Sequence, residues 1–427
     1  MVLSRPVPSH RSSSSRRLLR LPLAATAALL LAACDSATAP SGPITHLPRA
    51  LTASEQSLIS GSNDFAFSLF REIDKRAPAE SNIFISPLSA SMALGMTMNG
   101  AAGSTLDAMR TTLGFGAMSV AAADSSYRSL IDLLRGLDPS VDFRIANSIW
   151  YRQEFAIEQS FLDAGKTYFD AAITGLDFDD PSAATTINDW VNESTDGKIS
   201  RIVDQIPGSV NLYLIDAIYF KGAWTQQFDK AHTFSQPFHL TDGATQPVQM
   251  MHGQHVTVRA VQTGDYQAAE LPYGGGAYAM LVLVPNEGVK LDSVIAALSP
   301  ESWQALRARL IKQTGEVDLP RFTLTWGDSL NDPLKALGMG VAFDPNAADF
   351  SRISTADQLY ITGVLQKTFV DVNEEGTTAA AATSVGVGPT SVALPLLEAD
   401  RPFLFAIEER LSGTILFIGK MVRPPGE

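Results

Sequence analysis

Along residues 54–372, apolar positions recur at two periods, helical and alternating, so the chain predicts a mixture of helices and strands. Residues 54–76 place Phe65, Leu69 and Phe70 on one helical face, and residues 87–98, 104–113 and 124–136 also read as helices. Residues 143–151 read as a strand and 158–168 as a helix. Residues 211–220 form an almost continuous apolar run broken by Asp216. A strand of that kind is covered on both faces and sits inside a sheet. Residues 233–285 alternate short strands with glycine turns, 293–313 read as helical, and 317–325 and 361–372 as strands.

The pattern stops at Thr377. From there to Leu397 the chain has no charged residue, no apolar helical stripe and two late prolines, Pro389 and Pro395. Apolar strands precede and follow it, which places it in an exposed loop. Exposed loops of that length usually carry charge and often carry function. An uncharged Ala/Val/Thr-rich surface segment is an aggregation hazard unless it is sometimes buried as a strand. Taken alternately, Thr377, Ala379, Ala381, Thr383, Val385 and Val387 form one face of small or β-branched residues that a packed sheet can accept.

Length alone, at 427 residues, suggests two or three domains. Residues 60–424 contain no linker-like stretch, no repeat and no sustained heptad, so one large α/β unit is preferred. The N-terminus reads as a targeting segment. Arg5, Arg11, Arg16, Arg17 and Arg20 precede a short apolar stretch, residues 21–33, too short for a resident membrane span. It closes on Leu31-Ala32-Ala33-Cys34, which resembles a bacterial lipoprotein cleavage box with Cys34, the chain's one cysteine, as lipid acceptor. Ser15-Arg16-Arg17-Leu18-Leu19-Arg20 resembles a twin-arginine export signal. Residues 1–33 are thus expected to be a signal peptide, 34–53 a flexible polar tether and 54–427 the folded domain. Removing residues 1–33 takes away five arginines and no acid, moving the formal charge from −13 to −18. That balance argues against nucleic acid and against attraction to an anionic bilayer; membrane attachment would come through lipid. No disulfide is possible within the chain.

The chemistry of a hydrolase is missing. There is no Gly-x-Ser-x-Gly elbow, and six histidines are scattered. His252 and His255 form an HxxH without an acidic third ligand, and read as exposed strand histidines. Gly274-Gly275-Gly276 reads as a hairpin turn, Met250 and Met251 as core, and Trp150, Trp190 and Trp224 as packing residues. No cofactor, metal or enzymatic activity is expected.

Several separated motifs resemble the serpin family. Val372-Asn373-Glu374-Glu375-Gly376-Thr377 followed by Ala379, Ala380, Ala381 and Ala382 resembles the serpin hinge and reactive loop. Asn82-Ile83-Phe84-Ile85-Ser86-Pro87-Leu88-Ser89 resembles the start of the helix beneath the main serpin sheet. Asn188-Asp189-Trp190-Val191 resembles the helix crossing that sheet, and residues 217–224 a central strand and its end. Residues 270–273 and 280–285 resemble the second sheet, and 400–405 and 413–420 the last two strands. The resemblance covers roughly residues 60–424.

It implies a mixed α+β serpin fold with three β-sheets, about eight or nine helices and an exposed reactive loop. It also implies a suicide inhibitor of serine, or cysteine, proteases, acting as a monomer. A target cuts the loop, and the freed loop inserts into the main sheet as a new strand, distorting the acylated enzyme. Counting along the family pattern puts the scissile bond at Thr390–Ser391, with Pro389 or Ser391 as alternatives for the residue before it. Small residues there imply an elastase-like or subtilisin-like target; no Arg or Lys in the loop suits a trypsin-like one. Beneath the main sheet, the resemblance assigns a latch to Ser86, Pro87, Ser89, Asp216 and Gln366. Asp216 and Gln366 stand where the family commonly has asparagine and histidine, and a Gln366 amide donating to Asp216 would preserve the latch. At the sheet's opening it assigns Trp224, Arg321 and Glu374, with an ion pair between the last two. A non-inhibitory serpin acting as a binding or structural protein is the alternative. Bulky or charged hinge residues would favour it, and they are absent.

Overall fold

The computed structural model describes residues 42–356, 358–377 and 395–425. Its helices are α1 (Ala53–Asp74), α2 (Pro87–Met98), α3 (Gly103–Thr112), α4 (Val120–Gly136), α5 (Gln159–Phe169), α6 (Ser182–Ser194), α7 (Leu291–Ala296), α8 (Pro300–Arg309) and α9 (Asn331–Leu334). Its strands begin with β1 (Ile83–Ile85), β2 (Val141–Arg152), β3 (Ala172–Leu176), β4 (Leu212–Ala223) and β5 (Thr233–His239). They continue with β6 (Thr245–Gln262), β7 (Tyr266–Tyr273), β8 (Tyr278–Pro285), β9 (Ile311–Pro320) and β10 (Phe322–Ser329). The last are β11 (Leu365–Asn373), β12 (Gly376–Thr377), β13 (Pro395–Glu398), β14 (Phe403–Glu409) and β15 (Thr414–Met421).

Two hydrogen-bonded networks organise these strands. A central six-stranded sheet runs β10-β11-β12-β4-β2-β3, antiparallel except for β2 against β3. A nine-stranded network runs β1-β15-β14-β8-β7-β6-β9-β13, with β5 beside β6. It holds the expected second and third sheets together, because the 18-residue β6 belongs to both. Its first half pairs with β5 and its second half with β7, and a bulge between Gly253 and Val256 re-aims it.

Local signals explain the helix beneath the central sheet. Ser86 caps α2, its hydroxyl accepting from the Ser89 amide, and Pro87 occupies the first turn, where its missing N–H costs nothing. The helix is apolar all round and is correspondingly buried: Leu88, Met92, Leu94 and Met96 are at most 2 % exposed. One core runs from α1 and α2 into both sheets, with Phe84 stacked on Phe405 and Phe417. A smaller cluster of Trp150, Ile187, Val191 and Ile215 seats α6 against the central sheet.

Four sequence expectations change. The helix over 293–313 is two helices and the start of a strand: Ser299 caps a new helix at Pro300, and β9 begins at Ile311. The strand over 317–325 is two strands in different sheets, meeting at Pro320–Arg321. The strand over 361–372 starts only at Leu365. The tether expected over 34–53 is docked along its described part. Ile44 donates its amide to the Gly275 carbonyl, Leu47 and Leu51 pack on the core, and Arg49 forks onto Glu55. Apolar residues spaced three to four apart in a polar segment are enough to pin it down. Among the described residues no helix is long and apolar enough to cross a membrane.

Candidate functional site

The site lies where β11 ends, turns and re-enters the central sheet. Asn373 pairs with Gly376 and Val372 with Thr377, so Asn373-Glu374-Glu375-Gly376 is a tight turn. The Asn373 side chain accepts from the Glu375 amide within it. On the other side of β12, Gly376 faces Ala223 and Thr377 faces Gly222 of β4. Among the described residues β11 and β4 are joined only through these two residues. Gly376 is required here. Its φ is +150°, and a Cβ would lie 2.1 Å from the Gly222 carbonyl oxygen.

Thr377 corrects an expectation. Its side chain was assigned to an exposed native loop, yet it is 2 % exposed and its hydroxyl lies 2.6 Å from the Tyr273 hydroxyl. Trp224 stacks on Tyr273 with ring centroids 4.4 Å apart, and its indole N–H donates to the Asn373 carbonyl. This aromatic floor fixes the turn from below. Burial pushes the Tyr273 phenol above its usual range, so it stays a neutral hydrogen-bonding partner.

Glu374 and Arg321 sit at the same end of the sheet, since Phe322 pairs with Val372. They do not form the expected ion pair. Glu374 is buried and accepts from the Thr233 hydroxyl at 2.8 Å, while its carbonyl accepts from Phe228. Arg321 is exposed and lines a polar cleft with Gln246, Gln249 and Arg423. The cation in the hinge is Lys230 instead, 2.6 Å from Glu375, which holds its ammonium above the usual range. Thr233 and Lys230 were missed because they lie in a separate hairpin some 140 residues from the turn, with no local signal.

Lower in the sheet, the expected contact between Gln366 and Asp216 is also absent. Gln366 forks onto the Ser86 backbone, accepting from its amide at 3.1 Å and donating to its carbonyl at 2.7 Å. The Ser86 hydroxyl donates to the Leu416 carbonyl, and Ser89 to the Asp216 carbonyl. So Ser86, Pro87, Ser89 and Gln366 are brought together, binding β11 and the start of α2 through backbone groups. The carboxylate of Asp216 is left out, with neither oxygen hydrogen-bonded among the described residues. Elsewhere, His252 is half-buried against Asp318 rather than exposed, and His255 occupies the bulge with φ +55°. Gly274-Gly275-Gly276 forms the β7–β8 turn, and Met250 and Met251 are fully buried. Ala379, Ala380, Ala381, Ala382, Thr390, Ser391 and Cys34 lie outside the described residues.

Between β11 and β4 the central sheet is thus bridged, among the described residues, by a strand of only two residues. The family described as Serpin (serine protease inhibitor) matches residues 60–424. A serpin-like protein of Thermococcus kodakarensis is 34 % identical over 377 residues, covering 87 % of this chain and 86 % of its own. Rat (Rattus norvegicus) neuroserpin is 33 % identical over 358 residues, covering 81 % and 87 %. The thermophilic serpin tengpin in its native state superposes with a TM-score of 0.79 at 29 % identity, over 90 % of this chain and 97 % of that one. The chain belongs to the serpin family, many of whose members inhibit proteases.

Proposed function

We propose that this serpin is an irreversible suicide inhibitor of proteases, carried by insertion of its cleaved loop between β11 and β4. The observation that supports this most is β12, which already occupies the lane between those strands. Thr377 faces both Val372 and Gly222, so six residues further along the same register Thr383 comes opposite Gln366 and Asp216. Because Thr377 points inward, Ala379, Ala381, Thr383, Val385 and Val387 take the inward face on insertion, all small or β-branched. The reactive bond in this reading is Thr390–Ser391, offered to a protease with a small primary pocket. Cys34 carries the lipid that holds this bacterial protein to the cell envelope, outside the cytoplasm.

The test is to mix the protein with elastase-like, subtilisin-like and trypsin-like enzymes and look for a covalent complex on denaturing gels. A complex with a small-pocket enzyme, with the cut mapped by mass spectrometry to residues 389–392, is expected. Cleavage by every such enzyme without a complex, and without a gain in heat stability, would instead favour a non-inhibitory serpin.

A further inference from the structure

Asp216 lies in the middle of the central sheet, facing the helices behind it. Both its oxygens are shut off from solvent and lack a hydrogen-bond partner among the described residues. Directly across the ladder on β2 stands Asn147. Its amide nitrogen donates to the Phe169 carbonyl at 2.7 Å, but its Oδ1 is also buried without a partner. Residues directly opposed in an antiparallel pair point to the same face, with Cβ atoms about 4.5–5.5 Å apart. Three buried acceptor oxygens without partners are thus carried by two directly opposed residues on one face of the sheet. Acceptors alone repel one another, and each unpaired one carries a desolvation penalty. A single proton on the carboxyl turns one acceptor into a donor and resolves the conflict.

We propose that Asp216 is a neutral carboxylic acid in the native protein and donates its proton to Oδ1 of Asn147, bolting β4 to β2, so that its ionisation loosens the sheet. The surrounding groups leave the carboxylate form unsupported. From α4, Tyr127 is hydrogen-bonded to Ser91, and Arg135 is engaged by Asp170 and the Ile145 carbonyl. From α2 only the Ser89 hydroxyl approaches, and it binds the Asp216 backbone. From β11, Gln366 is taken up by Ser86. Burial accordingly pushes the Asp216 carboxyl up to about 8, with the Ser89 hydroxyl and the Arg135 charge tempering the shift. The folded value lies above the unfolded one, so stability is present at acidic pH and is lost as pH rises towards about 8. The inference does not depend on protease inhibition.

Infrared difference spectra of the whole protein test it. At about pH 6 the wild type should show the carbonyl band of a buried carboxylic acid, absent from Asp216→Asn and lost at about pH 10. The ratio of wild-type to Asp216→Asn unfolding rates should rise by up to about a hundredfold between those pH values, nearly all of it below about pH 8. Asn147→Ala removes the acceptor and should lower the midpoint of the band by about one unit. No acid band in the wild type, or a rate ratio that is flat with pH, would overturn the neutral carboxyl. An unmoved midpoint in Asn147→Ala would overturn Asn147 as its partner.

Discussion

Glu374 shows how charge alone can misassign a residue's partner. Its place at the sheet's opening was legible, because a hinge sequence follows it. Its partner was not, because charge suggested Arg321 while the fold supplied a hydroxyl from β5, Thr233. Glu374 is thus held in a buried site by a neutral hydroxyl, with Lys230 acting on it only through space. Glu374→Lys would place an ammonium in that buried site, within the field of Lys230 and Arg321. The cost is about 3 kcal/mol. We expect a lower heat transition, and ladders on native gels as the loosened sheet accepts loops from other molecules. A variant as stable and monomeric as the wild type would show that Glu374 does not hold the opening closed. Asn147 was invisible to sequence reading for a related reason: an isolated polar residue in an apolar strand signals nothing until its cross-strand neighbour is known.

At the scale of elements, periodic segments were the most legible. The apolar α2 matched its expected range of 87–98, and 211–220 proved to be the core of the central strand β4. Errors fell where two elements abut without a polar gap. Residues 296–311 keep an apolar rhythm through a helix break at Ser299-Pro300 and a change to strand at Ile311. The hinge was read as a loop because two residues are too few to show any period. That difference changes what substitutions should do. Thr377 is already packed, so Thr377→Arg buries a guanidinium in the native state and should lower native stability by several kcal/mol, on the order of 3. On the proposed mechanism Ala381→Arg is expected to act only when the inserted strand forms. It should leave the heat transition of the uncut protein unchanged, preserve cleavage and abolish the covalent complex. Equal native destabilisation by both variants would contradict the difference between the two positions.

Across the whole molecule, charge and pH act together. Burial raises Asp124 to about 6, although Asn99 donates to it at 2.9 Å. Its folded value exceeds the unfolded one, so it too favours the folded state at acidic pH and withdraws that stability as pH rises through about 6. Glu55 runs the other way. The Arg49 fork holds it down to about 2, so its contribution is present above the usual carboxylate range and is lost as pH falls towards about 2. Asp124→Asn should therefore flatten the decline of the heat transition between about pH 4 and pH 6; an unchanged slope would count against it. Location is a separate matter. Membrane fractions should hold the wild type and release Cys34→Ala, and equal retention of both would remove the lipid anchor.

The two residues of β12 also bear on speed. Strand formation resembles zippering, in which the first pairing is the costly nucleus and later ones are cheap additions. Here such a nucleus is already present in the native sheet, with Gly376 and Thr377 paired on both sides. If the cleaved loop inserts as proposed, its closure onto the sheet need not be searched for; only propagation is left, one residue at a time towards Asp216. Extra residues placed beyond the cut should then hardly slow trapping, whereas Gly376→Ala, which displaces the nucleus, should slow it severely.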